Sequence, residues 1–153
     1  MHSATLTLHA LVRWAVILLG LYATGRAKLG WFGKRPWTGA DNQAGLWFVT
    51  SFDIQALLGL ILYLALSPIT TGAFQHMGGA MQNTVVRFFV VEHVTAMLLG
   101  LALAHIGRVR VRRASTDHAR HRTAAIFFGF ALLLVLLGTP WPFMPVARPL
   151  WPF

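Results

Sequence analysis

The sequence predicts an all-α fold: an integral membrane four-helix bundle with both termini on the non-cytoplasmic side. Three observations carry this. The 153 residues are 56% hydrophobic and only 11% charged, whereas a soluble domain has about 25% charged residues. Four apolar runs, at about 5–24, 45–66, 85–106 and 123–139, approach the ~20 residues that a helical span requires. Ten of the thirteen Lys and Arg crowd into two of the three connections between those runs. Lipid leaves no partner for an open backbone, and four spans cannot close a barrel, so the spans are helices. They form one transmembrane domain over residues 1–153.

The first run, 5–24, is interrupted by His9 and Arg13. No basic region precedes it and no small-residue cleavage site follows, so it is expected to stay as a span and not to be removed. The second, 45–66, contains Asp53 and Gln55 and ends at Ser67-Pro68, with Asp41 or Asn42 placed to cap it. The third, 85–106, carries Arg87, Glu92 and His93 near its start and His105 near its end. The fourth, 123–139, is apolar throughout its core, follows a candidate cap at 115–117 and stops at Pro140.

Orientation follows from the connections. The first holds Arg26, Lys28, Lys34 and Arg35; the third holds Arg108, Arg110, Arg112, Arg113, Arg120 and Arg122; the second, 67–84, holds no Lys or Arg. In a four-span chain the first and third share a side, which the positive-inside rule assigns to the cytoplasm. The net charge of +9 therefore reads as membrane topology, and no nucleic-acid partner is expected. The closing stretch uses Trp-Pro-Phe twice, at 141–143 and 151–153. Proline forbids a helix there, and an extended strap of interfacial aromatics over 140–153 is expected.

Ionisable groups inside a span cost ~2.5–3.5 kcal/mol each on insertion scales and are seldom idle. At ~1.5 Å per residue, His93 and Glu92 lie roughly 6–8 Å from the midplane toward the outer side, and His9 lies at a similar depth on the first helix. Arg13 shares His9's face one turn deeper, Arg87 marks the outer end of the third span, and Asp53 lies beneath this layer. Two histidines at matched depth on two helices suit the axial ligation of one b-type haem. Ala96, Gly100 and Ala104 along the third helix, with Gly20 on the first, offer small residues beside it. Arg13 or Arg87 could neutralise a propionate, and Glu92 and Asp53 could pass protons or bind a quinol hydroxyl. His105 lacks a histidine at its depth on the first helix, so a second haem is not supported. His118 and His121 fall in the basic loop and are expected to meet water or headgroups.

Other readings stay open. The charges could pair, Arg13 with Asp53 or Glu92, and only fix helix register in a cofactor-free structural or assembly subunit. His76, Met77, Met81 and Met97 include the residue types that suit copper, and the carboxylates could serve proton handling alone. The absence of cysteine excludes disulfides, thiolate metal sites, iron–sulfur clusters and covalently attached haem. Without a nucleophile–base constellation or a phosphate loop, an electron-transfer or accessory subunit is a better reading than an independent catalyst.

The segments 8–14 (Leu-His-Ala-Leu-Val-Arg-Trp), 53–59 (Asp-Ile-Gln-Ala-Leu-Leu-Gly), Val91-Glu92-His93 and Pro140-Trp141-Pro142-Phe143 resemble a family of small four-helix bacterial inner-membrane proteins described as cytochrome-b-like or uncharacterised. The resemblance covers nearly the whole chain. It implies a multi-pass protein of the bacterial inner membrane, carrying one haem b on His9 and His93. From the residues, the expected role is electron transfer or quinol chemistry, with quinone as a further candidate cofactor, as a subunit of or accessory to a larger respiratory or photosynthetic complex. The second matched histidine pair of two-haem relatives is missing here.

Overall fold

The computed structural model describes residues 1–148. Seven α-helices follow one another: α1 (His2–Phe32), α2 (Gly39–Ile61), α3 (Pro68–Gln75), α4 (Met77–Gln82), α5 (Thr84–Arg87), α6 (His93–Arg113) and α7 (Asp117–Gly138). Two five-residue π-helical turns, Leu62–Leu66 and Phe88–Glu92, prolong α2 and join α5 to α6. The result is four continuous helices, His2–Phe32, Gly39–Leu66, Thr84–Arg113 and Asp117–Gly138, each long and apolar enough to cross a membrane. The chain is an all-α four-helix bundle of multi-pass membrane type, and the described residues contain no strand.

Each helix outruns its apolar stretch. Hydropathy marks where lipid can be, but backbone hydrogen bonding continues until a residue stops it. α1 runs on to Phe32 and ends at Gly33, with Ala27 and Gly30 buried in its last two turns. The second connection is not a simple loop: it folds into α3 and α4. Their Ala73 and Ala80 pack with Val90 of the π turn into a small separate core. The cap of α2 also differs from expectation. Thr38 is the cap residue, and Asp41, inside the first turn, accepts from Thr38 N–H at 2.9 Å and from its hydroxyl at 2.6 Å. The start of α7 is capped as anticipated, Thr116 Oγ1 accepting from Ala119 N–H at 3.1 Å.

α7 packs against α1 and α6, α1 against α2, and α6 closes the ring against α2. The core between them is aromatic. Phe48 and Phe52 of α2 are 0% exposed, and Phe128 of α7 meets Phe48 edge-on with ring centroids 5.7 Å apart. Room for these rings comes from glycine: a Cβ at Gly20 would sit 2.8 Å from Phe48 Cε2, and one at Gly100 would sit 3.2 Å from Phe52 Cζ. The small residues noted beside the histidines are thus partly spent on seating phenylalanines, the usual way membrane helices gain close contact. Ala104 is likewise fully buried in this core.

One end of the bundle, the basic end, gathers the basic connections; the other carries the N-terminus, α3–α5 and residues 140–148. At the basic end Arg26 Nε donates to Asp41 Oδ1 at 2.8 Å, tying α1 to the start of α2, and Arg108 donates to Asn42 Oδ1 at 2.8 Å, tying α6 to it. His121 contradicts its expected place in water. It is 1% exposed, 4.8 Å from the Trp37 ring and pressed onto Gly30, because α7 begins four residues before it and turns its first face inward. At the opposite end, Pro140–Arg148 forms successive turns and not an extended strap, Arg148 N–H closing back on Pro140 O at 3.3 Å. Trp141 packs edge-on against Trp14 and donates to Leu136 O at 2.8 Å. The second Trp-Pro-Phe lies outside the described residues.

Candidate functional site

The tertiary structure brings His9 of α1 and His93 of α6 together. Their ring centroids are 6.4 Å apart and their planes cross at 70°. Both side chains are mostly enclosed by the bundle. α1 and α6 are not sequence neighbours, and His9 lies near the start of one helix while His93 opens the α-helical part of another. The pairing rests on matched depth and on a local device. The π turn Phe88–Glu92 immediately precedes His93 and inserts extra residue length into the helix, which resets the direction of every side chain after it. Tyr63 braces that turn by donating to the Val90 carbonyl at 2.9 Å, and Thr70 braces Tyr63 by donating to its carbonyl at 2.7 Å.

Each imidazole is held by a second helix. His93 Nδ1 lies 2.7 Å from Gly138 O at the end of α7. A carbonyl only accepts, so Nδ1 carries the proton and Nε2 carries the lone pair. Gln55 of α2 meets His9 Nε2 at 3.2 Å through its amide nitrogen. His9 Nδ1 and Gln55 Oε1 are buried without a hydrogen-bond partner among the described residues. Gly59 backs His9: a Cβ there would come within 3.1 Å of the ring. Phe88 and Phe89 flank His93 with centroids 6.0 and 6.1 Å away. Arg13 stands close enough to act electrostatically on both rings and lies over Trp14, 5.6 Å from its centroid.

The other sequence-selected residues are placed elsewhere. Arg87 and Glu92 pair with each other at 2.9 Å, five residues apart on one helix, with side chains 44% and 49% exposed. Asp53 points outward from α2, 47% exposed, and accepts from His105 of α6 at 2.7 Å. The register reading that joined Arg13 to Asp53 or Glu92 gives way to these two pairs. Glu92 and Asp53 therefore face the bundle's surface and do not converge on the histidines.

Gln55 and His105 are the residues that reasoning from the sequence missed. Gln55 was visible as a polar group in an apolar span, two residues from Asp53 and thus on a different face. His105 has no partner at its depth on α1, because its partner, Asp53, stands on α2. His76 and Met77 are exposed, and Met81 packs into the small core of Ala73, Ala80 and Val90. Among the described residues no group of three or more His, Cys, Asp or Glu side chains converges. No protein-family model, curated protein or solved structure matches the chain.

Proposed function

We propose that this protein holds one b-type haem between His9 and His93 and serves electron transfer or quinol chemistry in a bacterial inner membrane, as a subunit of or accessory to a larger complex. The observation that supports this most directly is the 6.4 Å separation of the two ring centroids on two different helices. Two metal–imidazole bonds of ~2.0–2.1 Å, added to the half-widths of two imidazoles, come to about that distance.

The donor set fits the group on two further counts. His93 is fixed by Nδ1–H donation to a backbone carbonyl, the outer arrangement that sets tautomer and orientation in metal-bound histidines. His9 has a buried ring nitrogen with no hydrogen-bond partner among the described residues. Turning the Gln55 amide would let Oε1 accept from His9 Nε2–H and present the Nδ1 lone pair. Arg13 supplies the positive charge near both rings that a propionate requires; Arg87 is committed to Glu92. When bound, the haem supplies reversible one-electron chemistry of its iron. The chain's own part is to hold and orient the two imidazoles, with Phe88 and Phe89 walling His93.

Under the positive-inside rule the basic end faces the cytoplasm, both termini face away from it, and the histidine pair lies in the outer half of the bilayer. A second reading draws on the same hydrogen bonds. Histidines that link α1 to α2 and α6 to α7 would serve a cofactor-free structural subunit equally well. The deciding experiment is a dithionite-reduced minus oxidised spectrum of protein purified with haem supplied, quantified as the pyridine haemochrome. A b-type band at one haem per chain, absent in His93→Ala, is the expected result. A flat spectrum overturns the haem reading in favour of the structural one.

A further inference from the structure

Asp53 lies eight residues inside the apolar run 45–66 of the second span, and it does not face the interior. With His105 it forms a hydrogen-bonded acid–base pair whose side chains are 47% and 51% exposed, on the outer surface of the α2–α6 seam. The residues around it, Ile54 and Leu57 on α2 and Leu99 and Ile106 on α6, are exposed and apolar. A carboxylate inside an apolar span, paired with a histidine near the end of the neighbouring span on an otherwise hydrocarbon-facing surface, is costly unless something other than acyl chains covers it.

We propose that this seam is the contact face of a homodimer, two copies meeting about a twofold axis along the membrane normal. The occupant follows from the pair's own chemistry. Such an axis keeps every residue at its own depth and makes the interface isologous, so residue i of one copy meets j of the other and j meets i. A face carrying one acceptor and one donor side by side is complementary to itself under that operation: Asp53 of each copy comes within reach of His105 of its partner. A different protein would have to supply a matching donor and acceptor of its own. Thr50, Thr95 and Ala102 are exposed on the same two helices and are small, allowing the backbones to approach. This inference is independent of haem, since His9 and His93 lie within the bundle.

The chain has no cysteine, so a single introduced one reports cleanly. Ala102→Cys on the proposed face and Leu18→Cys on α1, 61% exposed, are to be oxidised with copper phenanthroline in native membranes. Stoichiometry of the cysteine-free protein in nanodiscs is counted by single-molecule photobleaching. The expected result is two chains per disc, with covalent dimer from Ala102→Cys and none from Leu18→Cys. In the Ala102→Cys background, Asp53→Leu with His105→Leu should reduce cross-linking at least tenfold while the protein still purifies as a helical, monodisperse species. Several outcomes overturn the proposal: one chain per disc, cross-linking only at Leu18→Cys, cross-linking of Ala102→Cys only to an unlike protein, or unchanged cross-linking after the double substitution. One chain per disc, with the thiol of the Ala102→Cys variant protected from maleimide by added quinone, would overturn it in favour of a ligand site at the pair.

Discussion

His93 Nδ1 and the carbonyl of Gly138 lie 2.7 Å apart, joining the first residue of α6 to the last residue of α7. The bond settles the histidine's tautomer, and it depends on how closely α7 ends against α6. A Cβ at Gly138 would meet Met97 Cε at 2.5 Å and Ala96 Cβ at 3.0 Å. Gly138→Val should therefore separate the two helices and cost about 1–3 kcal/mol, the usual range for overpacking. Thermal unfolding in detergent reads the stability loss, and the haemochrome assay should show loss of haem alongside it. An unchanged melting temperature would mean that the contact is not this tight.

Gln55 is expected to orient His9 and not to ligate. Gln55→Leu should leave the bundle folded and weaken haem binding about 10–100-fold, the range seen when groups supporting a metal ligand are removed. Titration of haem into apoprotein measures it. His9→Ala should abolish stoichiometric binding, and a Gln55→Leu protein that loses haem as completely would give Gln55 a larger part than orienting the ring.

At the basic end, His121 is accommodated only because residue 30 is glycine. Gly30→Ala should destabilise the protein by about 1–3 kcal/mol, through forced movement of a ring enclosed by Trp37 and α1. Adding His121→Ala should recover part of that loss, and contacting residues typically couple by ~0.5–3 kcal/mol. Strictly additive effects in the double-mutant cycle would refute the contact.

Thr38→Ala removes the hydroxyl that donates to Asp41 and the cap residue of α2, so a loss of about 0.5–2 kcal/mol is expected. Because Asp41 is also the partner of Arg26, Asp41→Ala should cost more than either Thr38→Ala or Arg26→Ala. Equal losses in chemical or thermal unfolding would show that the three groups do not act together.

Topology has its own test. Single cysteines introduced by Gly78→Cys and Ser115→Cys should label from opposite sides of the membrane with an impermeant maleimide, position 115 only from the cytoplasmic side. Labelling of both from one side would remove the two-ended arrangement of the connections.

The bundle was legible in the chain because spanning a membrane is a local requirement. A run of ~20 apolar residues, its polar ends and the Lys and Arg between runs can all be read without knowing what touches what. The four spans of the structure sit on the four predicted runs for this reason, with ends that differ because a helix stops at caps and not at changes in hydropathy. Matched depth, also local arithmetic, was enough to single out His9 and His93.

Facing was not legible. Asp53 and Gln55 are two residues apart in one apolar stretch, yet Gln55 is buried against His9 and Asp53 looks outward to His105. Those directions depend on the rotation of α2 against α1 and α6, set by where Phe48 and Phe52 seat against glycines of other helices. The same holds for Glu92, turned to the surface by a π turn that no apolar pattern announces, and for His121, drawn inward by packing at Gly30. In a bundle apolar on every side, hydropathy carries almost no information about rotation. The sequence by itself therefore determined the helices, and only the packed structure decided which polar groups meet.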